Sequence, residues 1–292
     1  MNISRFVSIG IISAIAFCSS GARVFAQSSF KFDFSGGKSK PGWTQIAPTN
    51  VYSTDAGFGF EPGADVQTAN GAASSDKPFY FSTKLPEENY KVTATFAGES
   101  TVTVKSELRR LMLEKIHAAS GKVETRSFVC NVRTPNISDS NHVHLKQREQ
   151  ETEMVDWDEK LTLEFNGAHP SLHSLEVQPV DVPTVYIAGD STVCDQSGEP
   201  WNSWGQMLTR FFKQGVAVAN HAESGESIKS SLGAKRFEKI FSTLKTGDYL
   251  FLQFGHNDMK DRAADALATY RANLEKLVDE TRKHGGDRKS VV

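Results

Sequence analysis

The chain has little charge bias, few cysteines and no apolar run long enough to cross a bilayer. A formal net charge of -2 gives it nothing with which to attract nucleic acid or an anionic membrane surface. Its cysteines are Cys18, Cys130 and Cys194. Cys18 falls in a leader-like segment. The other two sit in different candidate domains, so a disulfide is possible but not indicated, and free or buried thiols are expected. Cys194 has no neighbour that would activate it as a nucleophile. What remains is the profile of a soluble globular protein, with 38% hydrophobic and 23% charged residues over 292 positions.

The N-terminus reads as a targeting segment. Arg5 is followed by an apolar run from Phe6 to Phe17, then small residues and VFA. This is the pattern of a signal peptide covering residues 1–26, cleaved after Ala26. The mature protein is then expected to be secreted or periplasmic. A lipoprotein using Cys18 is disfavoured by the bulky Phe17 before it.

Two patterns follow. Residues 28–180 read as a β-sandwich: FKFDF, FYFSTKL, YKVTATFAG, STVTVKSEL, VETRSFVCNV and LTLEF alternate or cluster β-formers between turn residues. Asn166-Gly167 reads as a hairpin tip. RLMLEKIHAA suits a helix or a strand, and 136–148 reads as a polar loop. VQPVDVP, residues 177–183, reads as a linker. From residue 183 to 292 strands and helices alternate. TVYIAGD, VAVAN and DYLFLQFG are buried-type strands. Helical spacing covers Trp204 to Phe212, Phe237 to Lys245 and Ala264 to His284. This alternation predicts a parallel sheet covered on both faces.

Each strand ends in a polar cluster, and in open α/β sheets sites lie beyond these carboxyl ends. GDS carries Ser191, NHAESGES carries Gly225, and GHND carries Asn257. A hydroxyl nucleophile, a backbone N–H made accessible by glycine and a side-chain amide are the parts of an acyl-transfer site. Taken singly, Ser191 could be a helix cap, Gly225 a turn and Asn257 a loop residue. Three clusters after three successive strands carry the reading.

Together, "GDSTV", "NHAESGES" and "QFGHNDMKD" resemble the SGNH (GDSL-like) hydrolases, most closely the rhamnogalacturonan acetylesterase branch. The resemblance covers 184 to about 285. It implies a three-layer α/β/α fold and removal of acetyl groups from pectic polysaccharide, with no metal or cofactor. Ser191 would be the nucleophile, and Gly225 and Asn257 would complete the oxyanion hole. An acetylated polysaccharide is the expected substrate; nucleic acid and membrane are not expected partners. The N-terminal half resembles the galactose-binding-like sandwiches that precede such enzymes, with Trp43, Tyr80 and Trp157 available to stack on sugars. One family block is absent: no Asp-x-x-His follows Asn257, and DRKSVV stands where a fourth strand is expected. Truncation is the favoured explanation, with an α/β half less stable than the sandwich and apolar surface left exposed. A complete chain with impaired chemistry is the other. Rescue by His221, His256 or His284 is disfavoured, since none occupies the family position of the base. The competing functions are a non-catalytic polysaccharide-binding protein and an esterase or lipase of other acyl specificity.

Overall fold

The computed structural model describes residues 29–38 and 40–286; the leader expected at 1–26 and the segment DRKSVV lie outside the described residues. The first half is two five-stranded sheets packed face to face. One runs in the order Val123–Val132, Glu88–Ala97, Ser174–Pro179, Phe30–Asp33, Thr44–Gln45. The other runs Phe58–Phe60, Phe79–Lys84, Lys160–Ala168, Ser100–Ser106, Arg110–Ala118. Nearly all pairs are antiparallel, which lets one face of each sheet stay wet and gives the period-two pattern. In Ser100–Ser106 every second residue is buried, with Val102 and Val104 pointing inward. The core is rich in phenylalanine: Phe32 and Phe34 meet Phe81 at ring separations of 5.1 and 5.0 Å, and Phe79 stacks on Phe165 at 5.1 Å. Burying each such ring contributes about 2 kcal/mol.

The structure resolves RLMLEKIHAA as a strand, Arg110–Ala118. It corrects three other expectations. Asn166-Gly167 is not a turn. The Lys160–Ala168 strand runs through it, with Asn166 opposite Thr103 and Gly167 opposite Val102. Glycine is needed there because a Cβ would stand 2.1 Å from the Thr101 carbonyl oxygen. The polar stretch 136–148 is not a plain loop. It forms a small hairpin, Asn136–Ser138 with Asn141–His142, and enters the helix Gln147–Glu151. The linker is shorter than VQPVDVP, because Gln178 and Pro179 still pair with Lys91 and Tyr90.

The second half is a three-stranded parallel sheet in the order Ala217–Asn220, Thr184–Gly189, Tyr249–Gln253. The central strand is buried along its whole length, as its apolar run predicts. Two apolar clusters cover the two faces. Tyr186 and Ala188 pack with Ile228, Phe237, Ile240 and Leu277 on one side. Val185 and Ile187 pack with Val193 and Val218 on the other. The helix expected from Trp204 to Phe212 breaks after Leu208 into a 3-10 turn, Thr209–Phe211, leaving Phe211 77% exposed. The long helix runs Ala266–Lys283 and buries Leu277, while Leu267 is exposed. No described helix is long and apolar enough to cross a membrane.

The two halves are joined by buried ion pairs. Arg236, from the helix Arg236–Thr243, makes a two-pronged bond to Glu149 of the short helix at 3.1 and 2.6 Å. Trp157 donates its indole N–H to the same carboxylate at 3.0 Å. Arg110 reaches from the β-domain to Asp195 at 2.6 Å, and bonds Asp156 at 2.6 Å on its own side. Lys239 pairs with Glu87 at 2.6 Å. Charges this deep are tolerated only when paired.

One carboxyl in the β-domain makes stability depend on pH. Burial, helped by Asp156 and Glu61, pushes Asp158 up to about 7, although Lys160 acts against it. An acid with a raised folded pKa favours folding at pH below its unfolded value. That contribution fades as pH climbs through the folded value. Stability should therefore fall between about pH 4 and about pH 7. Asp158→Asn keeps an acceptor for the Lys160 N–H, now bonded at 3.1 Å. It should flatten this slope by about 1 kcal/mol in urea titrations, a figure reduced for partial solvent exposure. Superimposable pH profiles for the two proteins would contradict the assignment.

Candidate active site

Ser191 lies two residues beyond the end of the central strand, Thr184–Gly189. Asp190, 2% exposed, accepts from the Thr192 N–H at 2.9 Å and the Thr192 hydroxyl at 2.8 Å, and its carbonyl accepts from the N–H groups of Val193 and Cys194 at 3.0 Å. This tight turn holds Ser191 half-buried at the sheet end, and among the described residues its hydroxyl has no hydrogen-bond partner. The turn is braced from below. Asn220 donates to the Val193 carbonyl at 2.8 Å and to Asp195 at 2.9 Å. Asp195 is in turn held by Arg110.

The second loop is tied to the first by the Glu223 N–H, which bonds the Gly189 carbonyl at 3.1 Å. Gly225 sits in it at φ +81°, a left-handed conformation that favours glycine. Among the described residues the Gly225 N–H donates to no acceptor. The third loop is tied to the second by Asn257, whose side-chain amide donates to the Glu226 carbonyl at 2.9 Å. Gln253 links the third strand to the nucleophile turn through Thr192 at 2.6 Å and accepts from the Trp204 indole at 2.6 Å. The three strand-end clusters thus form one assembly, with Ser191 on the first loop, Gly225 on the second and Asn257 on the third.

The histidines are dispersed. His221 is sealed beneath Trp157 and Tyr186 at ring separations of 5.7 and 5.8 Å, and burial, with Arg133 and Lys239 nearby, drives its pKa well down. His284 stacks on Phe241 at 5.2 Å at the end of the last helix. His256 is exposed. Cys194 is buried and its thiol is pushed up to about 12, first by burial and then by Asp195, so it is no nucleophile. Cys130 and Cys194 are both free. Trp157, expected to stack on a sugar, is instead 4% exposed and spent on the domain interface. Trp43 lies half-buried near Lys31 and Lys40, and Tyr80 is 39% exposed.

Two further residues at this site could not be foreseen from local sequence. Lys146 and Arg148, at the start of the short helix Gln147–Glu151, reach across from the β-domain to the Gly225 loop. Lys146 pairs with Glu226 at 2.7 Å and Arg148 with Glu223. Both donate to the Ser224 carbonyl, each at 2.8 Å. A polar K-x-R stretch gives no local sign of its partners, which lie some 76–78 positions further along the chain.

Parts of the chain are similar to known proteins. Residues 187–292 match the GDSL-like Lipase/Acylhydrolase family. Rhamnogalacturonan acetylesterase RhgT of Bacillus subtilis is 40% identical over 103 residues, which cover 35% of this chain and 44% of RhgT. The uncharacterized esterase YxiM of Bacillus subtilis is 25% identical over 277 residues, covering 88% of this chain and 67% of YxiM. The solved YxiM structure aligns with 89% of this chain and 73% of its own, at 22% identity and a TM-score of 0.38. The chain thus spans less than half the length of RhgT. The three strand-end loops of the parallel sheet fall within the region, residue 187 onward, that is similar to the GDSL-like lipase/acylhydrolase family, and this region lies behind an antiparallel β-domain.

Proposed function

We propose that the protein is a carbohydrate esterase that removes acetyl groups from a pectic polysaccharide by serine acyl transfer. The observation that carries this reading is the tie between the three loops: Glu223 to Gly189, Asn257 to Glu226 and Gln253 to Thr192. In the proposed reaction the Ser191 hydroxyl oxygen bonds to the acetyl carbon as a general base takes its proton. The oxyanion that forms is met by the N–H groups of Ser191 and Gly225 and by the Asn257 side-chain amide. Collapse breaks the ester bond, and the sugar oxygen leaves with a proton. Water then hydrolyses the acyl-serine, giving acetate and free Ser191. The similarity to RhgT supports acetylated rhamnogalacturonan as the substrate class.

Acetate release by the protein tests this. Acetylated rhamnogalacturonan should be deacetylated faster than acetylated xylan, and Ser191→Ala should bring release down to the level of the buffer. Equal release by the Ser191→Ala protein, or none by the parent, would overturn the reading.

A further inference from the structure

We propose that Lys146 and Arg148 of the β-domain are positioning residues for ester hydrolysis, acting through the peptide unit that joins Ser224 to Gly225. This rests on the reading of Ser191 as nucleophile and Gly225 N–H as oxyanion donor. The Ser224 carbonyl accepts one charge-assisted bond from Lys146 Nζ and one from Arg148 Nη2, each at 2.8 Å. That carbonyl and the Gly225 N–H belong to one planar trans peptide, so they point in opposite directions. Two cations pinning the carbonyl toward the β-domain therefore turn the N–H away from it. The loop's other anchor, Glu223 N–H on the Gly189 carbonyl, holds this peptide beside the end of the strand Thr184–Gly189, two residues before Ser191.

The cations also change the donor itself. Drawing electron density onto the carbonyl oxygen polarises the whole peptide and makes its N–H a stronger donor. The arrangement is rigid. The Lys146 N–H bonds Glu149 Oε2 at 2.8 Å, and Glu149 is clamped by buried Arg236. Glu226 and Glu223 balance the two cations, so their charge is directed at the loop rather than offered to an anionic substrate. The β-domain is on this view part of the catalytic apparatus, where the sequence suggested a separate sugar-binding module.

The test is turnover of 4-nitrophenyl acetate by the full-length protein, normalised to the number of serines titratable at position 191. Lys146→Met combined with Arg148→Met should lower kcat by about tenfold or more, a fraction of the loss from deleting an oxyanion donor. KM should change by less than about twofold, since the loss falls on the transition state. The charge-keeping changes Lys146→Arg and Arg148→Lys should each retain most of kcat. In amide spectra the Gly225 nitrogen should move upfield in the double variant, a reading independent of turnover. Unchanged kcat per titrated serine, or an unmoved Gly225 resonance, overturns the proposal, as does an equal kcat loss in the charge-keeping variants. Turnover that survives Ser191→Ala identifies failure of the underlying reading instead.

Discussion

Replacing Arg110 with methionine should cost about 3–5 kcal/mol of stability, the loss typical of breaking a buried pair from one side. Arg110 is 1% exposed and sits between two carboxylates, Asp156 of its own domain and Asp195 of the loop that follows Ser191. Its position already divides the two acids. Despite burial, Arg110 and Arg133 hold Asp156 below the usual carboxylate range. Burial and the Asp156 charge push Asp195 up to about 7. Without the guanidinium both acids would be buried beside one another with one cation left, Arg133 at 3.3 Å from Asp156, so both would hold protons to higher pH. The deficit should therefore be largest near about pH 8 and shrink toward about pH 5, where protonation relieves the repulsion. Urea midpoints at the two pH values measure this. A loss under about 1 kcal/mol at both would mean that the cluster is solvated rather than buried. Asp195 also accepts from Asn220, which holds the Val193 carbonyl, so the same substitution should loosen the turn carrying Ser191.

Much of the fold was legible because its signals are local. Alternation in Ser100–Ser106 and the unbroken apolar run of Thr184–Gly189 each follow from which faces are buried. The order of the three polar clusters was legible because parallel strands put all their carboxyl ends on one side. What failed depended on distant partners. Asn166-Gly167 has turn chemistry, but the Thr101 carbonyl presses on that glycine from a strand more than sixty residues away. Trp157 has the composition of a sugar platform, yet Glu149, Arg133 and Arg236 surround it. Nothing near Arg110, Arg236, Lys146 and Arg148 in sequence reveals the acids and carbonyl that bury or bind them. The interface between the halves was invisible for the same reason: 85 and 87 positions separate Arg110 from Asp195 and Glu149 from Arg236.

The chemistry proposed here depends on the oxygen of Ser191. Several neighbours could compete with it as a site of acylation. Ser224 and Ser227 flank Gly225, and Cys194 lies three residues on. The structure separates them. Ser227 caps the helix Ile228–Gly233 by accepting the Ser230 N–H at 3.1 Å, and Cys194 is buried with a raised thiol pKa. Ser191 alone stands at the end of the central strand, between the loops bearing Gly225 and Asn257. A fluorophosphonate, which forms a stable tetrahedral adduct only with an activated serine, reports this directly by peptide mass analysis. The predicted result is a single phosphonyl group on Ser191, absent in Ser191→Ala. An adduct on Ser224, Ser227 or Cys194, or a protein left unmodified, would contradict it.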